Sequence, residues 1–170
     1  TEIRKRLGEA PQSNASFRAG AIWATAQKFH SVFPTVDIIP MDYDKNRILL
    51  ARKPDEKLYR FIGGFTDPKD DSYEGAAVRE LNEEAGLCID KESLKYLGSR
   101  KCNDWRYESE CDKIITHLFV GTYVFGCPKP ADDICECRWI DIDKLSPDLL
   151  VTTHRGLLEM FLNWNNKRIK

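Results

Sequence analysis

Residues 63–87 read GGFTDPKDDSYEGAAVRELNEEAGL. The last third of this stretch gathers three glutamates, Glu80, Glu83 and Glu84, behind Arg79 and ahead of Gly86. An α-helix turns about 100° per residue, so positions i, i+3 and i+4 share a face. The three carboxylates therefore fall on one arc, with Ala77, Val78, Leu81 and Ala85 forming an apolar stripe beside them. Ser72 or Asp71 is placed to cap the start of such a helix, and Gly86 to end it. Like charges one turn apart repel, and Arg79 offsets only part of that repulsion. A solvated helix face would tolerate this pattern. A divalent cation would remove the repulsion, because Mg²⁺ and Mn²⁺ prefer carboxylate oxygen and leave positions open for phosphate.

Outward from this stretch, the chain alternates between helical and extended patterns. Residues 13–31, SNASFRAGAIWATAQKFHS, have helical spacing, with Asn14 or Ser13 as a cap. TVDIIPMDY and RILLARK are expected to be two strands joined by a turn at residues 44–46. LYRFIGG is expected to be a short strand that ends at the paired glycines. After the acidic helix come LKYLGSRKC, KIITHLFVGTYVFG and CECRWIDI, which are strand-like, and then a closing amphipathic helix over SPDLLVTTHRGLLEMFLNWNNK. The order helix, strands, helix, strands, helix predicts an α/β (α+β) chain with a mixed sheet between helices.

The 170 residues suffice for one domain with a core, and 31% charged with 42% hydrophobic residues is ordinary for a globular protein. A net charge of −1 argues against a protein that holds nucleic acid by charge. No apolar run approaches the ~20 residues that span a bilayer. The N-terminal TEIRKRLGEAPQS has no apolar centre of the kind a signal peptide carries, so a cytoplasmic location is expected. Thr1 suits a processed start or an excerpt from a longer chain. Six cysteines, none in a C-x-x-C pair, are expected to be reduced thiols, with Cys135 and Cys137 on one face of a strand.

The stretch 63–87 resembles the Nudix box, the signature of the Nudix hydrolases. That pattern is a glycine, five residues, a glutamate, seven residues, then Arg-Glu-aliphatic-x-Glu-Glu-x-Gly-aliphatic. Arg79, Glu80, Leu81, Glu83, Glu84, Gly86 and Leu87 match every fixed position of the second half, and Gly63 and Gly64 match the start. Counted back from Arg79, the loop carries one extra residue, and Asp71 takes the place of the first glutamate. The resemblance implies an α/β/α sandwich over residues 35–170, with residues 1–34 as a helical extension, and the catalytic helix following a strand and loop. It implies hydrolysis of a diphosphate that links a nucleoside to another group, with Mg²⁺ or Mn²⁺ as cofactor. It makes Glu83 and Glu84 metal ligands, Glu80 a ligand or the base acting on water, the Gly64 carbonyl a further ligand, and Arg79 the group that orients a glutamate.

Other segments are similar to Nudix domains that act on ADP-ribose, including the Nudix half of bifunctional nicotinamide mononucleotide adenylyltransferases. This favours ADP-ribose or a related dinucleotide as the small-molecule substrate, with NADH, dinucleoside polyphosphates and nucleoside triphosphates as alternatives. A nucleotide-sensing Nudix domain that no longer cleaves is the competing reading, and isopentenyl diphosphate isomerase chemistry is a third. Outside the box, Trp105 or Tyr107 can stack on a base, and Arg106 and Arg52 can meet phosphate. Asp133 in the ADDICE loop is the preferred extra carboxylate, ahead of Glu108, Glu110, Asp112, Asp132 and Glu136. Homodimers are common in the ADP-ribose branch of the family, and no residue of the chain requires one.

Overall fold

The computed structural model describes residues 19, 20, 22, 23, 31–107, 111 and 113–169. Ala19, Gly20, Ile22 and Trp23 are helical, as the N-terminal pattern predicts. The rest of that expected helix lies outside the described residues.

Seven strands form one sheet: β1 (Val32–Met41), β2 (Arg47–Arg52), β3 (Ile62–Phe65), β4 (Cys88–Ile89), β5 (Lys95–Cys102), β6 (Lys113–Phe125) and β7 (Glu136–Asp141). Among the described residues, two helices pack on it, α1 (Tyr73–Ala85) and α2 (Thr152–Ile169). The centre is a long parallel pair, β1 with β6, in register from Val32↔Lys113 to Met41↔Thr122. The other pairings between these strands are antiparallel. β1 meets β3 over Thr35–Ile38 and then reaches β2 at Met41↔Ile48. The mixed sheet between helices is thus the predicted architecture.

Strand alternation divides the core into two. Val36, Ile38, Leu49, Ala51 and Phe119 point to α1, where Ala76, Ala77, Leu81 and Ala85 meet them. Ile39, Met41, Ile48, Leu50, Leu118 and Val120 point to α2, where Leu157, Leu158 and Phe161 meet them.

Three local outcomes differ from the sequence reading. Gly63 and Gly64 do not end a strand. They lie within β3, paired to Asp37 and Val36. Gly63 has φ +152°, and a Cβ there would lie 2.0 Å from the Val36 carbonyl oxygen, so only glycine lets the two strands approach this closely. The closing helix starts at Thr152, because Ser146 caps a separate short turn, Pro147–Leu149. The two-residue strand β4 has too few residues for its pattern to be read. Among the described residues, no helix is long and apolar enough to cross a membrane.

Candidate active site

α1 is fixed at both ends as its sequence predicts. The Ser72 side chain accepts the Gly75 N–H at 3.0 Å, and Gly86 adopts the left-handed conformation (φ 64°) with its N–H bonded to the Asn82 carbonyl. Between these caps the three glutamates take different environments. Glu84 is 4% exposed and accepts the Gly63 N–H at 3.0 Å. Burial pushes its carboxyl up to about 8, helped by the nearby charges of Asp133 and Glu80 and opposed by the Gly63 N–H and Lys53. Glu80 lies against the bare Cα of Gly64, where a Cβ would come within 2.9 Å of its Oε2. Burial also raises the Glu80 carboxyl, against the pull of Arg79. Glu83 is half exposed and pairs with Arg79 at 2.8 Å.

Arg79 is the hub. Its Nε and Nη2 grip both oxygens of Asp70 at 2.9 and 2.8 Å, its Nη1 donates to Glu80 and Glu83, and its Nη2 also donates to the Phe65 carbonyl. This fork ties the loop between β3 and α1 to the helix. Arg79 holds the Asp70 carboxyl down at about 2. Asp70, not Asp71, therefore takes the part of the first acidic residue of the box. The spacing from Gly64 to Asp70 is the family's own. The extra residue sits between Asp70 and Arg79, which counting back from Arg79 had concealed.

The ADDICE loop does reach the site. The Ala131 and Lys129 N–H groups bond the carbonyls of Glu84 and Ala85 at the end of α1, and Asp133 forms an ion pair with Lys53. Asp132 is near enough to raise Glu80. Arg52 is elsewhere. Its Nε and Nη2 are bonded to Glu136, its partner across β2 and β7, and Tyr59 donates to the same carboxylate. Neighbouring side chains in extended backbone point to opposite sides, so Lys53 is the cation beside the site.

Arg106 is paired with Asp104 at 2.9 Å, and its guanidinium stands 5.6 Å from the Tyr107 ring centre. Tyr107 meets Phe65 edge-on at 4.9 Å. Trp105 opens the same short turn, Trp105–Tyr107, and its side chain lies outside the described residues, as do Glu108, Glu110 and Asp112. A cavity of about 80 Å³ opens between this turn and Gly63–Phe65. It adjoins a cleft of about 790 Å³, and Lys53, Arg60, Asp104 and Arg106 border both. Arg100 and Lys101 add to the positive lining of the larger one.

Among the described residues, no three acidic, His or Cys side chains converge tightly enough to hold a metal ion, since Glu80 and Glu83 are turned to Arg79. The donor set still fits a hard divalent cation. Glu80 and Glu84 are held partly desolvated and raised by burial and by neighbouring carboxylates, and all the available donors are oxygen. All six cysteines are free thiols, and burial holds Cys102 and Cys137 up at about 11.

A NUDIX domain family model matches residues 32–161. The chain belongs to the Nudix family. It is a Nudix hydrolase, acting on diphosphate bonds. In fold it is similar to the NUDIX domain of Shewanella oneidensis NrtR complexed with ADP ribose, with a TM-score of 0.64 and 18% identity over 85% of this chain and 92% of that one. It is also similar to the MutT protein of Methanosarcina mazei Go1 (TM-score 0.62, 21% identity, 80% and 96% covered). The solution structure of the E. coli ORF135 protein is a further neighbour in fold (TM-score 0.60, 24% identity, 82% and 94% covered). No curated protein matches the chain.

Proposed function

We propose that this Nudix domain hydrolyses ADP-ribose to AMP and ribose 5-phosphate, with Mg²⁺ or Mn²⁺ as cofactor. The observation that carries the reading is the seating of Glu80 and Glu84 against Gly64 and Gly63, beside a cleft of nucleotide size lined with cations. The NrtR NUDIX domain, similar in fold, binds ADP ribose, and this supports the choice of substrate. Glu80, Glu83, Glu84 and the Gly64 carbonyl would hold the cation. When bound, it would neutralise diphosphate charge and lower the pKa of water.

The chain's own groups do the rest. Arg79 holds Glu80 and Glu83 in position and anchors the loop through Asp70. Lys53, Arg60 and Arg106 face the cleft and meet phosphate oxygens there. Tyr107 and Trp105 belong to the turn that borders the nucleoside. Asp133 stands beside Glu84 as the carboxylate from outside the box. A cytoplasmic protein whose partner is this small nucleotide, and a homodimer, go with the proposal.

The test is AMP formation from a panel of ADP-ribose, NADH, dinucleoside polyphosphates and nucleoside triphosphates, with Mg²⁺, with Mn²⁺ and with chelator. Metal-dependent AMP from ADP-ribose above all others is the expected result. Tight binding of ADP-ribose with no cleavage in either metal would overturn the hydrolytic reading.

A further inference from the structure

Asp37 is a carboxylate in the middle of the central strand β1, 7% exposed, on the side that faces α2. Such a group is expensive to bury unless both oxygens are satisfied. Only one is. The Thr116 hydroxyl, from β6, donates to Oδ2. His154 Nδ1 of α2 stands 3.7 Å from Oδ1. That nitrogen already accepts the Phe61 N–H at 3.0 Å, so it carries no proton to give. Burial pushes His154 down to about 3, which keeps the ring neutral. The nearby cation, Arg60, spends its Nε and Nη2 on Glu56.

No fully buried side-chain oxygen among the described residues lacks a partner, so Oδ1, which no described donor reaches, keeps some exposure. Asp37 lines the 80 Å³ cavity together with Gly63, Gly64, Phe65 and Tyr107. That cavity admits one edge of a nucleoside, and the adjoining cleft has room for the remainder. Its floor is therefore a desolvated acceptor beside two aromatic side chains and next to the glutamate site.

We propose that Asp37 is a specificity-determining residue, whose Oδ1 accepts a hydrogen bond from a neutral N–H or O–H donor on the nucleoside of the substrate. The proposal rests on the cleft taking a nucleoside diphosphate. Two groups of ADP-ribose supply that chemistry: the exocyclic amino group of the base and a hydroxyl of the adenosine sugar. A carbonyl in the place of the amino group would set two acceptors against each other. Loss of a hydroxyl would leave Oδ1 desolvated and unpaired.

The test is calorimetric binding to the full chain in chelator, with ADP-ribose, its hypoxanthine analogue and analogues lacking one hydroxyl of the adenosine sugar. The wild type is expected to bind one analogue class at least ~10-fold more weakly than ADP-ribose, and the class identifies the donor. Asp37→Asn, which keeps the shape and the contact with Thr116, is expected to bind ADP-ribose at least ~10-fold more weakly and to lose the discrimination. A merely structural Asp37 would alter the melting temperature of the variant and leave the ratio between analogues unchanged, which would overturn the proposal. So would a wild type that binds all the analogues equally, a readout that needs no variant. Binding with discrimination but no hydrolysis would sink the hydrolytic reading alone. No binding of ADP-ribose would sink both.

Discussion

The two helices cover opposite faces of one sheet with opposite means. α1 meets the sheet through Ala76, Ala77, Leu81 and Ala85, and α2 through Leu157, Leu158 and Phe161. Small residues bring the α1 backbone close to β3. At that distance the short Glu84 side chain reaches the Gly63 N–H, and Glu80 rests on Gly64. On the opposite face the bulky residues of α2 fill the space over the sheet with apolar volume. The α1 face is arranged for reach and seats its glutamates against β3. The α2 face is arranged for apolar burial around Phe61 and Phe161.

The largest expected effect breaks the second face. Phe161 is fully buried. Phe161→Ala removes its contacts and leaves a cavity, so denaturant unfolding should show a loss of about 3–5 kcal/mol. A loss under 1 kcal/mol would mean that α2 does not anchor the fold.

The next breaks the first face without unfolding it. Glu83→Gln and Glu84→Gln should each lower turnover at least ~10²-fold, about 2.7 kcal/mol in the barrier, with little change in folding. Near-normal turnover in both would remove the metal assignment. Ala77→Leu tests the spacing itself. Overpacking there should cost about 1–3 kcal/mol and also reduce turnover, because it lifts the glutamates from β3. Stability lost with full activity kept would show that close approach is not what the site needs.

A smaller effect appears with pH in the metal-free chain. The folded carboxyl of Glu84 sits at about 8 against an ordinary 4.5, so the folded chain holds this proton more tightly than the unfolded one. Its contribution is complete below pH 4.5 and is lost as the pH rises through about 8. Between pH 7.5 and 9, above the ordinary 6.5 of an unfolded histidine and the value of about 6 for folded Asp37, unfolding in chelator should show falling stability in the wild type and a flatter profile in Glu84→Gln. The smallest effect belongs to Cys135, an exposed thiol just before β7. Cys135→Ser should leave activity and melting temperature unchanged.

The same contrast explains how far the sequence could be read. The reaching face was legible because its chemistry is local: cap, arginine, glutamates and terminal glycine lie within one helix and share its period. Asp70 was missed by counting from the wrong end of the loop, although the Gly64 spacing marks it. Arg52 was singled out and Lys53 not considered, because which side of the sheet a cation faces depends on the pairing of β2, and β7 supplies that partner 84 positions away. Asp37 was invisible for a related reason. Within VDIIPM it reads as one polar residue in a strand, and only the arrival of Thr116 and His154 shows that one of its oxygens is left over.

The parallel pair β1 and β6 has a consequence for synthesis. Asp37 and Thr116, neighbours across that pair, are separated by 79 positions in the chain. At about 5–20 residues per second, a ribosome would deliver β6 roughly 4–16 s after β1. For that interval the strand that later becomes the middle of the sheet has its widest edge bare. The glutamate helix can coil in the meantime, but it has only half a sheet to rest on. The nascent chain is therefore most open to capture by chaperones, or by its own copies, before the active-site groove has a floor.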